Sequence, residues 1–158
     1  MSDQDQSRTR KYSLIAALTI GVVLLIAAYG KLFYPLENLK VLDRWVSFIE
    51  IFFVVAIFFF RNRAWLWLGA AAIFAAWCGY ASFWSGLQLP CDCMGALIEM
   101  PTGLSISLDI LFLSMSFALG YLLKAAWTQI YLALLTACLM ALAGYASADW
   151  VYQSFVLR

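Results

Sequence analysis

Residues 64–89 read AWLWLGAAAIFAAWCGYASFWSGLQL, without a single Asp, Glu, Lys or Arg. This run exceeds the roughly 20 apolar residues with which a helix crosses a bilayer core about 30 Å thick. On either side of it, short polar breaks separate four further apolar stretches, at about 12–29, 44–60, 104–123 and 129–147. The sequence therefore predicts an all-α, polytopic membrane helical bundle with a four-helix core and a fifth transmembrane helix.

The composition excludes several classes of protein. Of the 158 residues, 65% are hydrophobic and 12% are charged, whereas a soluble domain is usually about 45–50% apolar and about 25% charged. A chain this short cannot bury the surplus, so we expect a lipid bilayer around it. The net charge of +1 and the lack of a clustered basic face argue against a nucleic-acid partner. Histidine, the usual ligand of metal and haem sites, is absent.

Lysine and arginine residues near the span ends predict the orientation, because the cytoplasmic ends of spans carry an excess of them. One side of the predicted bundle holds Arg8, Arg10, Lys11, Arg61, Arg63 and Lys124. We therefore predict a cytoplasmic N-terminal tail at 1–11, a four-helix membrane domain at 12–123, and an accessory fifth transmembrane helix with a C-terminal tail at 124–158. The loop at about 90–103, which contains no Lys or Arg, then lies on the outer face.

Two further patterns predict how the spans pack and where they end. Membrane helices pack through small residues, and spans three and five each have a small face, formed by Ala71, Ala75 and Gly79 and by Ala133, Ala137 and Ala141. Aromatic residues near span ends are typical of a belt at the membrane interface, and those near the ends here are Trp65, Trp67, Trp84, Trp127, Tyr131, Tyr145 and Trp150.

Cys91 and Cys93 lie in the predicted outer loop, in the sequence PCDCMG at 90–95. A ring closed between such near neighbours is strained, and strain makes a disulfide labile, which favours a redox pair. Two other interpretations stay open. One is a structural disulfide that holds the loop, formed because the compartment is oxidising. The other is Cu(I) bound by the two thiols together with Met94 and Met100, which are soft ligands.

The other two cysteines, Cys78 and Cys138, lie inside spans three and five. In an unbroken helix Cys78 is about 20 Å from Cys91, so a direct bond between them is out of reach. A lone cysteine inside a span behaves mostly as a small hydrophobic residue. We therefore assign these two cysteines no redox role.

Three ionisable residues at or inside the spans form a second candidate site: Lys31, Glu50 and Asp109. An ionisable side chain inside a membrane is costly and marks a functional site by default. Counted along the helices, all three belong to the outer leaflet, beneath the loop with Cys91 and Cys93. In one interpretation Lys31 is an anchor, and Glu50 or Asp109 passes a proton to or from a thiol. In the other, Lys31 and Glu50 form a structural ion pair and Asp109 caps an interhelical hydrogen bond.

These residues resemble the MauE branch of the DoxX-like integral membrane proteins, a family named after methylamine utilisation. The resemblance covers about residues 14–123. It rests on Gly30-Lys31-Leu32 with Pro35 after the first span, Glu50 in the second, and Cys91-Asp92-Cys93-Met94-Gly95 after the third. Met94 stands where the family usually has Phe, and Asp109 stands where an Arg-Asn pair is more usual.

The resemblance implies a four-helix core similar in outline to that of quinone-linked disulfide-forming enzymes, in the cytoplasmic (inner) membrane of a bacterium with the loop facing the periplasm. It also implies that Cys91 and Cys93 are the redox pair, with Lys31 and Glu50 as supporting membrane polar residues. The expected partner is an exported thioredoxin-like protein or client. For a quinone-linked oxidase, the expected cofactor is a quinone that takes the electrons of the pair.

The predicted function is a membrane-embedded thiol/disulfide redox protein, an oxidoreductase that supports disulfide formation or exchange in exported proteins. The alternative is a non-enzymatic membrane subunit that scaffolds or stabilises a larger membrane complex, with Cys91 and Cys93 as a structural loop disulfide. A transporter is disfavoured, because the spans show neither an inverted repeat nor helices interrupted by Gly or Pro.

Overall fold

A computed structural model describes residues 3–35, 40–88 and 100–156. Five helices account for most of them: α1 (Asp3–Phe33), α2 (Lys40–Phe60), α3 (Ala64–Gly86), α4 (Thr102–Leu122) and α5 (Trp127–Val151). A π-helical turn, Tyr152–Val156, follows α5. The described residues contain no β-strand, so the predicted all-α helical bundle is confirmed.

Helix α1 begins earlier than the sequence analysis predicts. Residues 1–11 were expected to form a tail, but the helix already begins at Asp3 and continues without a break into the apolar segment. The physical reason is local, because the segment from Asp3 to Tyr12 contains no glycine or proline and is rich in Gln, Arg and Lys, which favour helix. The polar stretch is thus a helical extension of the first span.

Within the described residues, four helical segments are long and apolar enough to cross a membrane, namely Ser7–Phe33, Ala64–Gly86, Thr102–Leu122 and Trp127–Ser154. Many large apolar side chains point outward from the bundle, such as Phe59, which is 80% exposed. A surface of this kind, on helices long enough to span a bilayer, is typical of a protein in lipid. Helix α2 is not among the four, because it carries Asp43, Arg44 and Glu50; its predicted membrane crossing stays a prediction. The architecture is that of an integral membrane helical bundle.

Short, hydrogen-bonded connections join α2 to α3 and α4 to α5. At the first, the indole Nε1 of Trp67 donates to the carbonyl oxygen of Arg61 at 2.6 Å. At the second, the side chain of Gln129 accepts a hydrogen bond from the backbone N–H of Ala126 at 3.0 Å. Both contacts satisfy backbone groups that a helix end leaves open. Consecutive helices therefore turn back on each other at this end of the bundle, which also holds most of the basic residues.

Helix α3 is the centre of the bundle, since it packs against both α4 and α5, while α1 packs mainly on α2. The Phe74 side chain is fully buried. Its ring lies 6.1 Å from that of Phe53 on α2, 5.3 Å from that of Phe112 on α4, and 5.4 Å from that of Trp77. These tilted and edge-to-face contacts are the preferred geometry for aromatic rings. One side chain thus joins three helices.

The crossing of α3 and α5 is formed by two matching pairs of small residues. A Cβ atom on Gly79 would collide with the carbonyl oxygen of Ala141, and a Cβ atom on Gly144 would collide with that of Ala76. Each glycine therefore faces the backbone of an alanine on the other helix, as small residues allow in membrane bundles. Gly79 and Ala141 belong to the small faces that the sequence predicts; Ala76 and Gly144 do not.

The aromatic belt predicted from the sequence is only partly present. Trp65, Trp127 and Tyr131 are largely exposed, as belt residues should be. Trp67 is fully buried and Trp84 nearly so, because helical rotation turns them toward the bundle. Proximity to a span end therefore does not distinguish a belt residue from a core residue.

Replacing Phe74 with alanine should lower the free energy of unfolding by about 2 kcal/mol. We expect a smaller loss than in the core of a water-soluble protein, because the unfolded chain in lipid or detergent also lies in apolar surroundings. Denaturation by SDS in mixed micelles, followed by far-UV circular dichroism, measures the change. Phe59→Ala is the matched control, since the Phe59 side chain is 80% exposed and should tolerate truncation. Equal effects of the two changes would contradict the central position of Phe74.

Candidate functional site

A cavity of about 400 Å³ lies between the helices, and all five contribute to its wall. Its volume is in the range that small-molecule sites occupy. The walls are mainly apolar and aromatic, and the polar side chains among them include one lysine, three carboxylates and two serines. These polar residues are Lys31, Asp43, Glu50, Ser105, Asp109 and Ser147.

The cavity lies toward the end of the bundle opposite the short connections. It is lined by the last turns of α1 and α5 and by the N-terminal half of α4. Segment 89–99, which joins α3 to α4, begins and ends at this same end, and Met100 beside it lines the cavity. Cys91 and Cys93 belong to that segment and lie outside the described residues.

Lys31 and Glu50 form a buried ion pair between α1 and α2. The Lys31 ammonium donates a hydrogen bond to Oε1 of Glu50, and the two residues are 6% and 3% exposed. Lys31 lies near the C-terminal end of α1, from which a long side chain commonly extends toward the interface. Here it points inward, because the carboxylate is the partner that a buried ammonium needs.

The second carboxylate oxygen of Glu50, Oε2, is buried and has no hydrogen-bond partner among the described residues. The nearest hydroxyl along α2, that of Ser47, donates instead to the carbonyl oxygen of Asp43 at 2.7 Å. A buried polar atom of this kind is costly, and a native one calls for a physical explanation. One carboxylate oxygen of Glu50 therefore has a hydrogen-bond partner and the other has none. The Glu50 side chain is one of those that line the cavity.

Asp109 lies on α4, seven residues after the helix begins at Thr102, and it is half-buried. Its carboxylate interacts electrostatically with Lys31. Asp43, which is buried on α2, interacts electrostatically with Glu50 as well, but this interaction is repulsive because both groups are carboxylates. The structure thus brings together Lys31, Glu50 and Asp109, the three membrane polar residues singled out in the sequence, and adds Asp43 to them.

The remaining thiols lie outside this cavity. Cys78 is half-buried on α3 and Cys138 is exposed on α5, and both are free. Among the described residues, no group of three or more His, Cys, Asp or Glu side chains is arranged to hold a metal ion. The copper interpretation depends on Cys91, Cys93 and Met94, which the structure does not describe.

Sequence reasoning missed the aromatic wall of the cavity. Phe74, Trp77 and Tyr80 follow one another on α3 at three-residue spacing, and all three line the cavity. That spacing marks one helix face and is visible in the sequence. Trp150, which the sequence analysis assigned to the interfacial belt, also lines the cavity. Helix α5, expected as an accessory element, closes one side of it.

Family models, curated proteins and solved structures were all compared with the chain, and none of them matches it. The similarity to MauE and DoxX-like proteins therefore stays a prediction from the motifs quoted above. The chemistry of the site has to be argued from its own groups. These are a group of charged side chains with one unsatisfied carboxylate oxygen and several aromatic side chains in the cavity wall. The segment with the two cysteines begins and ends at the same end of the bundle.

Proposed function

We propose that this protein is a membrane-embedded thiol/disulfide oxidoreductase whose Cys91–Cys93 pair exchanges disulfides with an exported thioredoxin-like protein or its clients. The observation that supports it best is the position of the buried polar cluster. Lys31, Glu50 and Asp109 line one cavity at the end of the bundle where segment 89–99 begins and ends. Thiol/disulfide exchange takes up and releases protons, and these ionisable groups are available to carry them at this end of the bundle.

The proposed exchange balances in electrons and protons. In the forming direction, a thiolate of the reduced partner attacks the Cys91–Cys93 disulfide, and the partner's second thiolate then displaces the pair, so that the partner becomes a disulfide and the pair a dithiol. The reduced pair then gives two electrons and two protons to a quinone, which becomes a hydroquinone. Glu50 and Asp109 serve as the nearby groups that accept and pass on protons.

The same proposal assigns an orientation. Most basic residues belong to the end of the bundle with the short connections, which is therefore the cytoplasmic end by the positive-inside rule. Segment 89–99, without a Lys or Arg, is then on the outer side of a bacterial inner membrane, where exported proteins acquire disulfides. The N-terminus is cytoplasmic in this arrangement.

The redox state of the pair tests the proposal. Membranes are treated with oxidant or reductant, then denatured and labelled with a thiol-reactive polymer that shifts the band on a gel. We expect the wild-type protein to gain two labelled thiols on reduction. Cys91→Ser or Cys93→Ser should abolish that difference completely, whereas Cys78→Ser and Cys138→Ser should leave it intact. Reoxidation of the purified, reduced protein by an added quinone analogue tests the electron acceptor separately.

Two outcomes would contradict the redox function. A pair that reacts with neither reductant nor a thioredoxin-like protein has no exchange activity. A pair that is permanently oxidised and dispensable, in a chain that co-purifies in fixed ratio with large membrane partners, favours the scaffolding subunit with a structural disulfide.

A further inference from the structure

We propose that the cavity is a binding site for an organic ammonium ion with an apolar or aromatic body, held by Glu50 and Asp109 and enclosed by the aromatic side chains of α3. The site uses the same carboxylates to which the proposed function assigns proton transfer, but its ligand takes no part in the thiol chemistry. It rests on three independent features: an unsatisfied buried acceptor, an excess of negative charge, and the aromatic composition of the wall.

The first feature is Oε2 of Glu50. Its residue is 3% exposed, and the atom has no hydrogen-bond partner in the part of the chain that the structure describes. A carboxylate oxygen is an acceptor, so only a ligand with an N–H or O–H donor satisfies it. A donor that carries positive charge makes the stronger hydrogen bond and offsets the cost of burying the carboxylate.

The second feature is the charge balance of the cavity. Among the described lining residues, Lys31 supplies the one ammonium, and the two carboxylates assigned to the ligand are those of Glu50 and Asp109. The Lys31 ammonium is already engaged by Glu50. An additional cation therefore improves the electrostatic balance of the site, whereas an anion would worsen it.

By chain position, the cavity end carries a net negative charge. Seven of the nine acidic residues and four of the ten basic residues belong to this half of the sequence pattern. The only charged residues in connecting segments 36–39 and 89–99 are acidic. A field of this kind raises the local concentration of cations at the cavity.

The third feature is the wall. Trp77, Tyr80 and Phe74 on α3, together with Phe112 and Trp150, contribute aromatic rings. Aromatic faces attract cations through the ring quadrupole, and tryptophan does so best. The apolar remainder of the wall suits the hydrocarbon part of the ligand. A wall that combines aromatic rings with carboxylates suits an amphiphilic ammonium ion.

A quinone fits this cavity less well. Its two carbonyl oxygens are acceptors, so it leaves Oε2 of Glu50 unsatisfied and brings no charge to the carboxylates. The proposed quinone reaction therefore does not require that the quinone occupy this cavity. The two ligands are chemically distinct enough for one experiment to separate them.

The experiment uses 2-phenylethylammonium as the probe, with the full-length protein in nanodiscs. Binding is followed by quenching of tryptophan fluorescence, since Trp77 and Trp150 line the cavity, and by isothermal titration. We expect the neutral analogue 2-phenylethanol to bind at least about tenfold more weakly, the loss that accompanies removal of one charge-assisted hydrogen bond. Duroquinone, whose ring is fully substituted and spares the thiols, is the neutral acceptor-only comparison.

Two variants locate the site. Asp109→Asn should weaken binding of 2-phenylethylammonium about tenfold, and it leaves the Lys31–Glu50 pair in place. Asp149→Asn is the matched control, because it removes the same charge at the same end of the bundle but outside the cavity, where Asp149 accepts a hydrogen bond from Gln153 at 3.1 Å. It should change the affinity less than twofold. Circular dichroism verifies that both variants fold.

Three results would overturn the proposal. They are equal binding of 2-phenylethanol, tighter binding of duroquinone, and unchanged affinity in Asp109→Asn. The double variant Cys91→Ser/Cys93→Ser should bind the probe as the wild type does. In the wild-type protein, probe binding without thiol exchange would count against the oxidoreductase alone, and thiol exchange without probe binding would count against the ammonium site alone.

Discussion

Replacing Lys31 with methionine is expected to lower the free energy of unfolding by about 3 kcal/mol or more, because it leaves the Glu50 carboxylate buried without its cation. Methionine keeps the length of the side chain and removes its charge, so the loss is electrostatic rather than a packing defect. At low pH the loss should shrink, since a neutral carboxylic acid is cheaper to bury than a carboxylate. SDS denaturation at several pH values, monitored by circular dichroism, measures both effects.

The double variant Lys31→Met/Glu50→Leu is the decisive comparison. Replacing both members of a buried ion pair with apolar residues is often neutral or stabilising, so the second change should recover most of the loss. Lys11→Met on the same helix is the control, because Lys11 is exposed. A Lys31→Met protein as stable as the Lys11→Met protein would show that the ion pair contributes nothing to stability.

Replacing Gly79 with alanine should lower the free energy of unfolding by about 3 kcal/mol, which is the second largest effect that we expect. The added methyl group meets the carbonyl oxygen of Ala141. No rotamer change can move a backbone atom, so α5 has to separate from α3. Gly144→Ala should cause a similar loss, since it meets the carbonyl oxygen of Ala76 in the same way. Both variants are measured by the same SDS denaturation.

Gly69→Ala is the matched control for this pair. Gly69 lies on α3 too, but nothing lies within 4 Å of a Cβ atom built there. Alanine is a better helix former than glycine by about 1 kcal/mol, so this variant should be as stable as the wild type or slightly more stable. If Gly79→Ala behaves like Gly69→Ala, α3 and α5 do not cross at this point.

Much of the architecture follows from hydropathy alone. The charge-free run at 64–89 predicts a helix that the structure finds at Ala64–Gly86, and the other apolar stretches likewise become helices. The ends are less well predicted, because they depend on local hydrogen bonds and propensity. For that reason helix α1 already begins at Asp3, because its first residues are polar but still compatible with a helix.

The sequence predicts which residues form the polar cluster, but not how they contact one another. Lys31, Glu50 and Asp109 stand out because ionisable residues in apolar spans are rare. That Lys31 donates to only one oxygen of Glu50, and that Asp43 joins the group, depends on how α1 and α2 are rotated against each other. The small-residue faces show the same limit, because the sequence pattern does not include Gly144, which approaches α3 as closely as Gly79 approaches α5.

The sequence by itself determined that the chain forms apolar helices, which of its few charges lie within them, and that segment 90–95 carries the only closely spaced cysteines. Helical periodicity and the cost of charge in lipid act along the chain, so they can be read from it. Only the tertiary structure decided that residues from all five helices line one cavity, that Glu50 keeps a free oxygen, and that the largely exposed Trp150 also contributes to the cavity wall. Those features arise from the rotation and crossing of helices far apart in sequence, which packing fixes and no local pattern records.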